Sequence, residues 1–406
     1  MNLWCELAWL GGDEPERGVL LTIVGETFGA IAAVSEPPPD AERLPGLTLP
    51  GLANAHSHAF QRALRGRTHG GTGSFWTWRE QMYELAETIT PDSYLALARA
   101  TFFEMAQAGI TVVGEFHYLH RGGNAMAEAV TEAAAQVGIR LTLLDACYLR
   151  GGLESFRDAD ASAWATRVDE LRDSDTVRIG AAIHSVRAVD AVSARIVANW
   201  ANARRAPLHA HVSEQPAENE ACLEENGATP TATLAAAGAL SERFTAVHAT
   251  HLTDEDIALL GGARVCLCPT TERDLADGIG PARRLREAGA ALCTGSDSQA
   301  FIDPFEEARA IELNERLVTG VRGNHTPAQL LEAATAGGYE SLGWPGGGRL
   351  APGAPADLVN VSLDTITLAG TRPRDAIAAT VFAAGPRDVN RVMVAGRWLR
   401  TEGTDS

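Results

Sequence analysis

Short, nearly continuous apolar runs alternate along most of the chain with longer stretches rich in Ala, Leu, Glu and Arg. Eight runs stand out, over residues 47–58, 109–118, 138–148, 177–185, 206–214, 244–250, 263–270 and 291–298. Parallel strands read this way because crossover helices bury them on both faces. The stretches between carry helix signals. PDSYLALARATFFEMAQAG has a Thr-Pro start and a Gly stop, and AMAEAVTEAAAQVG also ends on glycine. Eight strands, each followed by a helix, predict an α/β fold: a closed (β/α)8 TIM-like barrel over residues 47–347. A doubly wound open sheet is the rival, but no G-x-G-x-x-G follows the first strand to support it.

The two ends differ from the middle. Residues 1–46 and 348–406 hold short alternating or apolar runs punctuated by Gly and Pro, a β pattern. They predict one small β-sandwich domain assembled from both termini beside the barrel. No internal repeat is visible.

Composition narrows the function. The chain has 406 residues, 45% of them hydrophobic, enough for a large core and a smaller second domain. No run of 18 apolar residues occurs, so no membrane-spanning helix is expected. The start, MNLWCELAWLGGDEPER, lacks a basic region before its apolar patch and does not read as a secretory signal; a cytoplasmic location is expected. The six cysteines, Cys5, Cys147, Cys222, Cys266, Cys268 and Cys293, are scattered, several of them inside apolar runs, as core residues of a reducing compartment are. A net charge of −18 with no basic run argues against a nucleic-acid partner. It also repels anions at long range, so an anionic small-molecule substrate needs a local arginine clamp. The chain contains no lysine; all 34 basic residues are arginine. That removes Schiff-base chemistry, a P-loop lysine and any lysine-derived metal bridge.

The chemistry gathers where the apolar runs end, which in such a barrel is the mouth that carries the reactive groups. Run one ends His56-Ser57-His58, run two Phe116-His117-Tyr118, run four His184-Ser185-Val186-Arg187, run five His209-Ala210-His211-Val212-Ser213-Glu214. Run six ends His248-Ala249-Thr250-His251, and run eight Ser296-Asp297-Ser298. His56 and His58, two apart, leave an extended strand on the same side. With a third imidazole on run five and a carboxylate on run eight they form a donor set for a catalytic zinc-like ion with an open position. His209 and His117 read as packing. His120 and His251 read as loop or solvent contacts, and His69 and His325 as ordinary loop residues. Trp76 and Trp78, after a Gly-rich stretch, suit a lid, a subunit contact or a packed helix start.

This constellation, with the GAPADLVNVSLD ending, resembles the amidohydrolase superfamily over essentially the whole chain. Binuclear members bridge their metals with a carboxylated lysine; a chain without lysine implies a single divalent ion, Zn²⁺ or Fe²⁺. Phe60-Gln61, Glu115-Phe-His-Tyr118, His184-Ser-Val-Arg187, His209-Ala-His211-Val-Ser-Glu214-Gln215 and CPTTERDLADG resemble the formimidoylglutamate deiminases, iminohydrolases of histidine breakdown. The resemblance implies metal ligands at His56, His58, His211 and Asp297, with Glu214 and His248 joining Asp297 in catalysis. It implies that Gln61, Tyr118 and Arg187 hold the substrate carboxylates, that His184 lies beside the reacting group, and that the protein is a homodimer. The loop after Asp297 departs from the family at Gln299, where Asn or His is expected. The rivals are a deaminase of a purine-like heteroaromatic amine and, in another class, a non-catalytic scaffold. The scaffold should have lost ligands, which are all present here.

Overall fold

The structure, a computed structural model, describes residues 1–70 and 72–399. Four strands open the chain: β1 (Asn2–Ala8), β2 (Glu16–Val24), β3 (Thr27–Ala33) and β4 (Glu42–Pro50). The eight barrel strands follow: β5 (Leu52–Ser57), β6 (Ile110–His117), β7 (Arg140–Cys147), β8 (Val177–Ile183), β9 (Leu208–Val212), β10 (Phe244–His248), β11 (Arg264–Leu267) and β12 (Ala291–Thr294). Near the end come β13 (Leu358–Val361), β14 (Val389–Val394) and β15 (Arg397–Trp398).

Each of the eight apolar runs contains one barrel strand. The strands pair in parallel, in sequence order from β5 to β12. The ring is drawn together by a parallel bridge between Ser57 and Asp297. There the Asp297 amide donates to the His56 carbonyl at 3.0 Å, and the His58 amide to the Asp297 carbonyl at 3.0 Å. Gly295 permits this approach: a Cβ there would lie 2.7 Å from the His56 Cβ.

The termini form one seven-stranded mixed sheet, in the order β15-β14-β13-β4-β1-β2-β3, over its own core of Leu3, Leu21, Phe28, Leu44 and Met393. Two stretches depart from the expected boundaries. Residues 47–50 finish β4 in this sheet, so the first apolar run is divided at Gly51 between the two units. The Ala-rich segment Ala376–Ala383 is a helix whose apolar residues join the barrel's core rather than a strand. Residues 400–406, the end of the expected β-domain, lie outside the described residues.

The helices have local causes. Helix α1 covers Phe75–Thr88 and α2 covers Pro91–Gln107. At the start of α2 the Thr90 hydroxyl accepts from the Ser93 amide, and the Ser93 hydroxyl accepts from the Thr90 amide. Pro91 takes the first helical position, where no intrahelical N–H is needed. Among the described residues no helix is long and apolar enough to cross a membrane.

A buried ion pair ties the two units together. Arg140, opening β7, meets Asp357, just before β13, through Nε at 2.7 Å and Nη2 at 3.2 Å. Asp357 also accepts from the Tyr339 hydroxyl and the Ala395 amide, both at 2.7 Å. Asp357→Ala strands the guanidinium in a dry site, so a loss of about 3–5 kcal/mol is expected in chemical denaturation.

Candidate metal centre and active site

At the barrel mouth the ends of β5 and β9 and the residue bridged to Ser57 bring four donor atoms together. The Nε2 atoms of His56 and His58 lie 3.3 and 3.4 Å from Asp297 Oδ1, and the Nε2 atoms of His56 and His211 are 3.2 Å apart. Four donors placed tetrahedrally at about 2.0–2.1 Å from one ion stand about 3.3–3.4 Å from each other. The donor chemistry fits as well. His58 Nδ1 donates to the Phe116 carbonyl at 2.8 Å and His211 Nδ1 to the His184 carbonyl at 2.9 Å, which leaves both Nε2 lone pairs facing the cluster. Burial holds the imidazoles of His56, His58 and His211 below their ordinary range, His58 at about 3, so they are neutral as ligands must be.

His248 and Glu214 border this cluster. His248 Nε2 is 3.7 Å from Asp297 Oδ2 and 3.8 Å from Glu214 Oε1, with no hydrogen-bond partner of its own. Burial opposes its charge, but the Glu272 hydrogen bond and the charges of Glu214 and Asp297 outweigh it and raise the imidazole to about 10. His248 and Asp297 both hold positive φ, 68° and 46°. For residues other than glycine such strain costs roughly 1–3 kcal/mol and collects at functional sites.

A cavity of about 120 Å³ opens onto the cluster. Gln61, Tyr118, His184 and Arg187 all line it, beside His58, His211, Glu214 and Asp297. Gln61 Nε2 donates to the Tyr118 hydroxyl at 2.9 Å, and His184 packs on Tyr148 with ring centres 4.3 Å apart. Arg187 differs from a fork waiting for a ligand. Its Nη2 donates to Glu214 Oε2 at 2.6 Å, and its Nε stands 3.7 Å from Glu218 Oε1. The cause is adjacency: β8 and β9 are neighbours, so their C-terminal extensions share one wall.

The structure adds residues that the strand ends did not disclose. Helix α1 covers the cavity with Phe75, Trp78, Arg79, Met82 and Tyr83. Trp78 therefore lines the cavity, while Trp76, 36% exposed, stacks on the Arg79 guanidinium at 4.5 Å. Arg79 Nε is buried without a partner. The signal for it was the i, i+3, i+4, i+7, i+8 spacing of these residues on one face of α1. Glu115, a lone carboxylate in the apolar β6, accepts from Ser57 Oγ at 2.7 Å, Ala59 N at 2.8 Å and the Tyr94 hydroxyl at 3.0 Å. Burial pushes it up to about 8.

The remaining histidines divide differently from expectation. His117 is packed, stacked on Tyr94, and His209 lies beneath the site against Ser341. His120 is buried, donating to the Ala146 carbonyl at 2.8 Å, because the chain after β6 folds inward there. His325 is buried as well, under the helix that contains Glu312. His117, His120 and Asp145 cluster, but the Arg167 guanidinium meets both Asp145 oxygens at 2.8 Å, which makes this a structural knot.

The sequence profile of the Amidohydrolase family matches residues 47–399. The chain belongs to the amidohydrolase family. It is 35% identical to the formimidoylglutamate deiminase of Pseudomonas aeruginosa over 394 residues, covering 89% of this chain and 86% of that one. It is 29% identical to a 5-methylthioadenosine/S-adenosylhomocysteine deaminase of Halobacterium salinarum, covering 93% and 87%. An amidohydrolase structure from Brucella melitensis superposes with a TM-score of 0.89 at 32% identity, over 98% of this chain and 94% of that one. The chain is thus an amidohydrolase-type deaminase, and its donor cluster suits the metal dependence of that family. Purified wild-type protein is expected to hold one tightly bound divalent ion per chain by elemental analysis, and His211→Ala none.

Proposed function

We propose that the protein is a mononuclear zinc iminohydrolase of the cytoplasm that converts N-formimino-L-glutamate and water into N-formyl-L-glutamate and ammonia. The observation that carries this reading is the presence of two guanidiniums, Arg79 and Arg187, in the same small cavity as the donor cluster. A tail with two carboxylates needs cationic partners, and an arginine fork meets a carboxylate with two parallel hydrogen bonds. A purine ring needs neither. Arg150 also lines the cavity, but both its terminal nitrogens are engaged, by Glu225 and the Val186 carbonyl, whereas Arg187 is held through Nη2 and Nε and not through Nη1.

His56, His58, His211 and Asp297 would hold the ion, whose chemistry is to make water acidic enough, near pH 7, to serve as a nucleophile. The chain's own groups do the rest. Asp297 Oδ2, on the His248 side, takes one proton from the attacking water. His248, kept cationic by three carboxylates, orients that water and balances the negative charge that develops. Glu214 holds the protonated imino nitrogen during the attack, then takes the water's second proton from the new hydroxyl and passes it to that nitrogen, while the proton held by Asp297 is given up to the departing ammonia. The C–O bond forms, the C–N bond to that nitrogen breaks, and ammonia leaves. Arg187 fixes the Glu214 carboxylate at 2.6 Å, so the clamp and the acid are mechanically joined. Phe75, Trp78 and Tyr148 keep bulk water from the cavity.

Ammonia release from N-formimino-L-glutamate, N-formylglutamate, guanine and 5′-methylthioadenosine tests the reading. Turnover is expected with the first alone; faster release from either purine overturns it in favour of the heteroaromatic deaminase. Arg79→Met is expected to act on KM, lowering kcat/KM by about thirtyfold or more, the equivalent of about 2 kcal/mol for an unpaired buried charge. Arg187→Met should lower kcat as well, because it also releases Glu214.

A further inference from the structure

Gln299, where the family pattern leads one to expect Asn or His, is fully buried and has positive φ, 61°. Its side-chain amide makes three hydrogen bonds. Nε2 donates to the Asp297 carbonyl at 2.7 Å and to Ser57 Oγ at 2.9 Å, and Oε1 accepts from Ser296 Oγ at 2.8 Å. The Asp297 carbonyl can only accept, so the orientation of the amide is fixed. Each partner leads further into the frame. Ser57 donates to Glu115, and Ser296 is held by Asn54, whose Nδ2 donates to Ser296 Oγ at 2.6 Å while its Oδ1 accepts from the Ser296 amide at 2.9 Å. Ser57 is the residue between His56 and His58. One amide therefore joins the two-histidine motif to the aspartate across the seam of the barrel.

We propose that Gln299 is a positioning residue for the metal centre, a clasp that holds Asp297 Oδ1 at ligand distance from His56 and His58 before any ion arrives. This rests on the reading of those residues as metal ligands, not on the identity of the substrate. Backbone bonds alone leave the strained Asp297 backbone fastened to strand β5 on a single line; the amide adds a second attachment, from Ser57 and Ser296, to the same carbonyl. Asn at this position is one methylene shorter and could not span the two partners in this conformation.

The test is zinc affinity, measured by chelator competition on the full-length protein with zinc alone and no substrate. Gln299→Met keeps the volume and removes the three bonds; Gln299→Glu keeps the shape and turns a carboxylate oxygen toward the Asp297 carbonyl. The expected losses are about tenfold for Met and about a hundredfold for Glu, the range found when groups bonded to metal ligands are changed. In zinc-saturated protein kcat should fall while KM for N-formimino-L-glutamate stays within about twofold of wild type. A residue that merely fills space would lower the melting temperature and leave the zinc affinity of the folded protein unchanged; wild-type affinity in both variants overturns the proposal. Should Gln299→Glu fail to fold, Ser57→Ala removes one of the same three bonds without adding charge, together with the Ser57–Glu115 bond, so it is read alongside Gln299→Met, which leaves Glu115 bonded. An affinity loss of about tenfold there supports the clasp, and wild-type affinity in Ser57→Ala and Gln299→Met together overturns it. Since no substrate enters the binding measurement, a failure to hydrolyse N-formimino-L-glutamate leaves this result intact.

Discussion

Closure of the barrel between its first and last strands is the constraint on which the site depends. The segments that meet there, around Ser57 and Gln299, are 242 positions apart. Only when the sheet closes do His56 in β5, His58 just after it and an aspartate beyond β12 point at a common centre. The closing contact is narrow: two backbone hydrogen bonds and the side-chain network of Asn54, Ser57, Ser296 and Gln299. Gly295 is what allows the strands that close. The chemistry and the topology therefore share the same few residues, and strain at His248 and Asp297 is held by the structure around them.

Charge is organised on two scales. The chain as a whole carries −18, while the cavity wall carries guanidiniums. A local fork overcomes a distributed field because paired hydrogen bonds at contact distance act unscreened, whereas surface charges beyond about 8–10 Å are largely screened by salt. The Arg187–Glu214 contact couples the two tasks. In the proposed reaction the group that holds the substrate's tail also holds the acid that releases ammonia, so an ill-fitting ligand that disturbs the guanidinium would disturb the chemistry.

The eight apolar runs were legible because burial on both faces leaves a continuous apolar signature. His56 and His58 were legible as a pair because an extended chain repeats every two residues. Glu115 was visible too, as a carboxylate within GITVVGEFHY, although its partners were not. Arg79 was hidden for a different reason. Its spacing with Phe75, Trp78, Met82 and Tyr83 marks one face of a helix, but nothing local says whether that face meets a cavity or solvent, and the opposite wall comes from residues that follow β6, β7 and β8, such as Tyr118, Tyr148 and His184. Gln299 stands out in the sequence as a departure without a visible cause, since its partners Ser57 and Ser296 belong to opposite sides of the seam.

The sequence by itself determined the period of the elements, the absence of lysine and hence of a lysine bridge, and the inventory of imidazoles and carboxylates at strand ends. These are properties of neighbours along the chain. Tertiary structure alone decided which imidazoles face the cluster and which are packing, that Arg187 is held by Glu214, and that an amide at 299 spans the seam. Those depend on distances between residues hundreds of positions apart, and such distances exist only after the barrel has closed.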